Sequence, residues 1–129
     1  MVVVLGSMLA LGLGSCSRSE SLGPGPDLTS QWAEKQGFAG QERAVAGARI
    51  FAQVGCLNCH TYLGAGSRNL GAPDLTAIGR DSHRSEAGFA DYVADPGAFG
   101  NEVMPRFKSL GRSNLLLLGA FLRASRGER

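Results

Sequence analysis

The chain has 129 residues, with 13 Lys+Arg against 11 Asp+Glu and a formal net charge of +2. That length suits one small domain with some additional sequence, and so slight a positive balance, with no basic stripe interleaved with aromatics, gives no grounds for a nucleic-acid partner. With 19 glycines and only 7% aromatic residues, the side chains are thin material for an apolar core of ordinary size.

From Met1 to Ser15 there is no charged side chain, and the run Val2-Val3-Val4-Leu5 … Met8-Leu9-Ala10-Leu11-Gly12-Leu13 is strongly apolar. It is shorter than the roughly 20 residues a bilayer span needs, and it fits the apolar region of an export signal over 1–15. The run ends in Leu13-Gly14-Ser15-Cys16, which resembles a bacterial lipoprotein processing box. That resemblance implies that Cys16 becomes the mature N-terminus and carries lipid. The protein would then be exported and held on the outer, periplasmic or extracytoplasmic, face of the cytoplasmic membrane, stably if more than one acyl chain is attached. A plain secretory signal with an incidental Cys16 is the competing reading. Residues 16–40 read as a flexible, lipid-anchored linker, because Ser17, Ser19, Ser21, Gly23, Pro24, Gly25, Pro26 and Ser30 sit among scattered charges without apolar periodicity. Such a chain has a root-mean-square reach on the order of 25–30 Å. Trp32 and Phe38 are the large aromatics in it, and an unspecific contact with the domain or a partner is expected of them.

The folded domain is expected over 41–129. Over Gln41–Phe51 helical spacing puts Ala44, Gly47, Ala48 and Phe51 on one face. Glycine within a helix costs about 1 kcal/mol against alanine, so Gly47 predicts close approach by another element. Then comes Cys56-Leu57-Asn58-Cys59-His60, the C-x-x-C-H spacing of covalent c-type haem attachment. Each thiol can add across one porphyrin vinyl group, two intervening residues let one short turn reach both, and the following imidazole can bind the iron. A redox C-x-x-C pair and half of a zinc site compete. Zinc would need further ligands, yet Cys16 and His83, the other cysteine and histidine, lie far off in sequence. A redox pair would sit in a βαβ pattern, which the chain does not show. A covalent haem is also a large apolar plate, which offsets the poor core material. With Cys56 and Cys59 committed to it, Cys16 is left single and no disulfide framework is expected.

Further on, Arg80-Asp81-Ser82-His83-Arg84-Ser85-Glu86 reads as a polar surface loop running into a helix from Glu86 to about Ala94. Val103-Met104-Pro105-Arg106-Phe107 contains the one methionine of the domain, and Pro105 biases Met104 toward extended backbone. The last helix is expected over Ser113–Arg123, with Arg123 and Arg126 suiting the negative pole of its dipole. Its apolar run from Leu115 to Leu122 is far too short to cross a membrane. It is therefore read as the core helix that packs on Gly47.

With these residues in view, the chain from about Gln41 to Ser125 resembles a class I monohaem cytochrome c. In that family a first helix with a G-x-x-x-aromatic pattern, here Gly47 and Phe51, leads into C-x-x-C-H. A closing helix with leucine and an aromatic three residues later, here Leu118 and Phe121, crosses it. A Gly-Pro-(Asn/Asp)-Leu loop follows the haem motif, here Gly71-Ala72-Pro73-Asp74-Leu75. The resemblance implies an all-α fold in which the N- and C-terminal helices cross around one covalently bound haem. It also implies that the Pro73 carbonyl accepts the His60 Nδ1 proton, which orients the ring and raises its basicity. Leu75 and Ile78 would pack on the haem. Arg80 would be a partner for a propionate or, equally simply, a solvated loop charge.

His60 and Met104 are the expected axial iron ligands, since Met-Pro followed by an aromatic resembles the family's distal motif. His83 and an open sixth position are the alternatives. Iron closed by nitrogen and sulfur exchanges electrons without exchanging ligands. The expectation is therefore an electron carrier and not an enzyme, relaying electrons between membrane respiratory complexes or oxidases. A haem enzyme or ligand sensor with an open sixth site is the reading from another class, and a thiol–disulfide oxidoreductase using Cys56 and Cys59 is a third.

Overall fold

A computed structural model describes residues 27–129 of the chain. The expected export signal, Cys16 and the first part of the expected linker lie outside the described residues. Among the described residues five α-helices, three short 3₁₀ turns and one small hairpin make up the regular structure; helix accounts for 55% of them and strand for 5%, so this part is mainly helical, compatible with the all-α class. Among the described residues no helix is long and apolar enough to cross a membrane.

The first helix, α1 (Leu28–Gln36), corrects the linker boundary. Asp27 caps it, its carboxylate accepting the Ser30 N–H at 2.8 Å, and Gly37 ends it in the left-handed region at φ 75°. Thr29, Trp32, Ala33 and Gln36 lie on its inner face at helical spacing. Trp32 is only 2% exposed and Phe38, just beyond the helix, 1%. The folded part thus reaches back at least to Asp27 and does not start at Gln41, and both aromatics make specific core contacts. The helix was hidden because two of its four inward residues are polar.

Helix α2 (Glu42–Gln53) crosses the last helix, α5 (Arg112–Ala124). Gly47 is the reason they approach closely, because a Cβ there would overlap the Leu117 carbonyl and the Phe121 side chain. The other flank of α5 packs on α4 (Glu86–Ala94), where a Cβ at Gly119 would overlap the Glu86 carbonyl. Ser85 caps α4 by accepting the Gly88 N–H at 3.0 Å. A short helix, α3 (Ile78–Asp81), lies against the end of α5, with the Gly79 N–H donating to Ser125 O at 2.7 Å.

The hairpin pairs β1 (Thr61–Tyr62) with β2 (Ala65–Gly66) antiparallel, Thr61 opposite Gly66 and Tyr62 opposite Ala65. It follows His60 directly and sends Tyr62 into the core. There Trp32 and Tyr62 meet edge-on with centroids 4.8 Å apart, and Phe121 lies 5.0 Å from Tyr62 and 5.1 Å from Phe51. The Tyr62 hydroxyl lies 2.8 Å from Ser125 Oγ, which in turn donates to the Phe121 carbonyl. Five of the chain's nine aromatics, Trp32, Phe38, Phe51, Tyr62 and Phe121, thus form one cluster that ties α1, α2, α5 and the hairpin together behind the candidate site.

Candidate functional site

Helix α2 stops at Gln53, and Gly55, at φ 89°, turns the chain into a single 3₁₀ turn over Cys56–Asn58. The Cys56 carbonyl accepts the N–H groups of Cys59 at 3.2 Å and His60 at 2.9 Å. This fixes the two thiols and the imidazole on one rigid corner. The chain then pairs with the later loop, where Thr61 forms a parallel bridge with Asp74 and its carbonyl accepts the Leu75 N–H at 2.9 Å.

That pairing brings the Pro73 carbonyl to 2.8 Å from His60 Nδ1. A carbonyl oxygen can only accept, so Nδ1 carries the proton and the Nε2 lone pair is left free to bind a metal. The loop is held by its own polar network. The Asp74 carboxylate accepts the Thr61 hydroxyl and, at 2.8 Å, the Thr76 N–H. Burial alone would push the Asp74 pKa up, but the hydrogen bonds from Thr61 and Thr76 outweigh it and leave the carboxyl below its ordinary value. Thr76 also accepts the Leu63 N–H on its hydroxyl, and its carbonyl accepts Gln36 Nε2 at 2.7 Å. Through Gln36, α1 braces the loop that orients His60.

His60 borders a small apolar cleft of about 30 Å³. Phe51 of α2, Val93 of α4, and Leu118 and Leu122 of α5 form its walls, Leu75 closes the loop side, and Cys56, His60 and Met104 meet there. Burial pushes the Cys56 thiol up to about 11, which keeps it protonated at neutral pH. Redox-active C-x-x-C thiols are activated by the opposite shift, to roughly 3.5–7.5. Among the described residues no three His, Cys, Asp or Glu side chains gather into a group able to hold a metal ion, so a zinc set built from this corner lacks donors there.

The remaining candidates, half-buried Cys59 among them, fall outside the cleft wall. Pro73 is exposed and acts only through His60, and Ile78 is half-buried against the core. Arg80 is paired with Asp81 at 2.9 Å on an exposed surface, and His83 is exposed in the loop before α4. Sequence reasoning missed Val93 and Leu122 as wall residues, and it missed Asn101. The Asn101 side-chain oxygen accepts the N–H of both Val103 and Met104 at 3.1 Å. An asparagine two and three residues before those amides is a recognisable turn former, and that was the available signal. A larger and more open groove of about 420 Å³ lies beside Gln41–Ala44, but it is spanned by the Arg43–Glu86 ion pair and has no Cys, His or Met on its walls.

The residues present fit a c-type haem in kind: two thiols at C-x-x-C spacing, of which Cys56 lies on the cleft, an imidazole with a free Nε2, one thioether, and apolar walls. In size the cleft, at about 30 Å³, falls far short of the roughly 300–1,000 Å³ usual for ligand sites, so a porphyrin would require its walls, the Met104 loop among them, to part. Comparison with protein-family models, with curated proteins and with solved structures found no match.

Proposed function

We propose that the protein is a single-haem electron carrier of the class I cytochrome c type, with haem c bound covalently through Cys56 and Cys59. The observation that carries this reading is the meeting of Cys56, His60 and Met104 on one apolar cleft, with His60 Nδ1 held by Pro73. Cys56 and Cys59 would hold the haem through thioether bonds to its two vinyl groups. Bound haem supplies an iron that gains and loses one electron.

The chain's own residues do the rest. Pro73 holds the imidazole in the tautomer that presents Nε2, and the bond raises its basicity. Met104 offers a soft thioether, which favours the reduced metal relative to a second nitrogen ligand. Phe51, Leu75, Val93, Leu118 and Leu122 keep water from the faces of the cofactor, which limits reorganisation during electron exchange. Cys56 and Cys59 retain the group on an exported domain even where it is partly exposed. In this reading the Cys16 lipid keeps the carrier on the outer face of the cytoplasmic membrane, where membrane respiratory complexes or oxidases are its redox partners.

The absorption spectrum of the matured ferric protein tests the ligand set. A weak band at the red end, characteristic of sulfur on iron and lost in Met104→Ala, supports the carrier; a spectrum unchanged by Met104→Ala contradicts it and favours an open sixth site. Mass analysis of the N-terminus tests the anchor: an acylated Cys16, with Cys16→Ala released from membranes, is expected.

A further inference from the structure

Asn101 is half-buried in the loop that carries Met104, and its side chain is engaged at both ends. Its Oδ1 accepts the backbone N–H of Val103 and of Met104, each at 3.1 Å. Its Nδ2 donates to the Tyr92 hydroxyl at 2.8 Å, and its own N–H donates to the Pro96 carbonyl at 3.0 Å. Tyr92 belongs to α4, and its ring is itself fixed: the Arg84 guanidinium lies 4.4 Å from the centroid and Phe99 5.4 Å. On the far side of Met104 the Phe107 N–H donates to the Val93 carbonyl at 3.1 Å.

The loop is thus fastened to α4 on both sides of Met104. On the near side the fastening passes through one side chain. The neighbours of Met104 add no packing to that of its own side chain on the core, because Val103 is 89% exposed and Pro105 is exposed and has no N–H to donate.

We propose that Asn101, braced by Tyr92, is the positioning residue that holds Met104 at the cleft and so governs how readily the sixth iron position is surrendered to another ligand. This rests on the reading of Met104 as that ligand. Removing the Asn101 oxygen releases two amides and raises the population of the loop-open state, and a competing ligand binds more tightly in proportion to that population.

The test uses the matured full-length holoprotein, with imidazole as the competing ligand, titrated against the ferric spectrum. Losing the two hydrogen bonds to Oδ1 and the one from Nδ2 predicts that Asn101→Ala binds imidazole at least about tenfold more tightly than wild type. Asn101→Asp, whose one carboxylate oxygen still accepts both amides while the other accepts the Tyr92 hydroxyl in place of the lost Nδ2 donation, should stay close to wild type. Tyr92→Phe, which removes only the brace, should rise by a few-fold and decides the matter should Asn101→Ala fail to fold. Hydrogen exchange at the Val103 and Met104 amides should quicken in Asn101→Ala alongside the affinity. Unchanged imidazole affinity and unchanged exchange in Asn101→Ala, where Met104→Ala does alter the spectrum, overturn this proposal alone. A spectrum indifferent to Met104→Ala overturns the ligand assignment and this proposal with it.

Discussion

The imidazole of His60 and the carbonyl of Pro73, thirteen residues apart, meet at 2.8 Å. Nothing local forces that meeting. It depends on Asp74, whose carboxylate gathers the Thr61 hydroxyl and the Thr76 N–H and so pins the loop beside the strand that follows His60.

Asp74 makes the network pH-dependent in a definite sense. Its folded pKa lies below the ordinary value, so its contribution to stability is present above about pH 4 and is lost as pH falls through the folded pKa. Asp74→Asn should therefore lose stability at neutral pH and show a flatter acid limb in denaturant titrations run across that range. Parallel curves for the two proteins would contradict the role given to the carboxylate.

Trp32 should matter to stability although it lies far from the haem motif in sequence. Replacing so large a buried aromatic by alanine costs about 3–5 kcal/mol, and Trp32→Ala should lower the urea midpoint accordingly. Its centroid lies 5.9 Å from Phe51, which lines the cleft. As the one tryptophan of the chain, it should be quenched in the haem-loaded protein and emit on denaturation.

Gly47→Ala sets two effects against each other. Alanine gains about 1 kcal/mol of helix propensity, but its Cβ would overlap the backbone carbonyl of Leu117, which cannot rotate away. Overpacking of this kind costs about 1–3 kcal/mol, so a net loss of stability is expected. A variant more stable than wild type by thermal unfolding would show that α2 and α5 do not cross at this point.

Much of this was legible in the sequence because three helices advertise themselves. The expected spans Gln41–Phe51, Glu86–Ala94 and Ser113–Arg123 correspond to observed Glu42–Gln53, Glu86–Ala94 and Arg112–Ala124. In each, small or apolar residues recur at helical spacing, and in α4 Ser85 provides a cap. The contact of His60 with Pro73 was expected from the Gly71–Leu75 loop. What escaped notice depends on tertiary context. Helix α1 shows Thr29 and Gln36 to the core as well as Trp32 and Ala33, so its pattern is not apolar, and the Gly/Pro-rich run before it reads as linker. Two-residue strands such as β1 and β2 carry no periodicity, and their pairing is set by the turn at Leu63-Gly64, where both residues have positive φ. Asn101 is a polar loop residue whose value lies in the Tyr92 hydroxyl nine positions earlier.

The reduced pyridine complex of the full chain, matured in cells competent for covalent haem attachment, probes the central claim most directly. The position of its visible band reports how many porphyrin vinyl groups have been saturated. The account predicts the band of a haem joined through two thioethers, pigment that stays with the polypeptide on a denaturing gel, and a shift to the one-thioether position in Cys56→Ser or Cys59→Ser. A colourless polypeptide, or haem that extracts freely into acidified organic solvent, would contradict it.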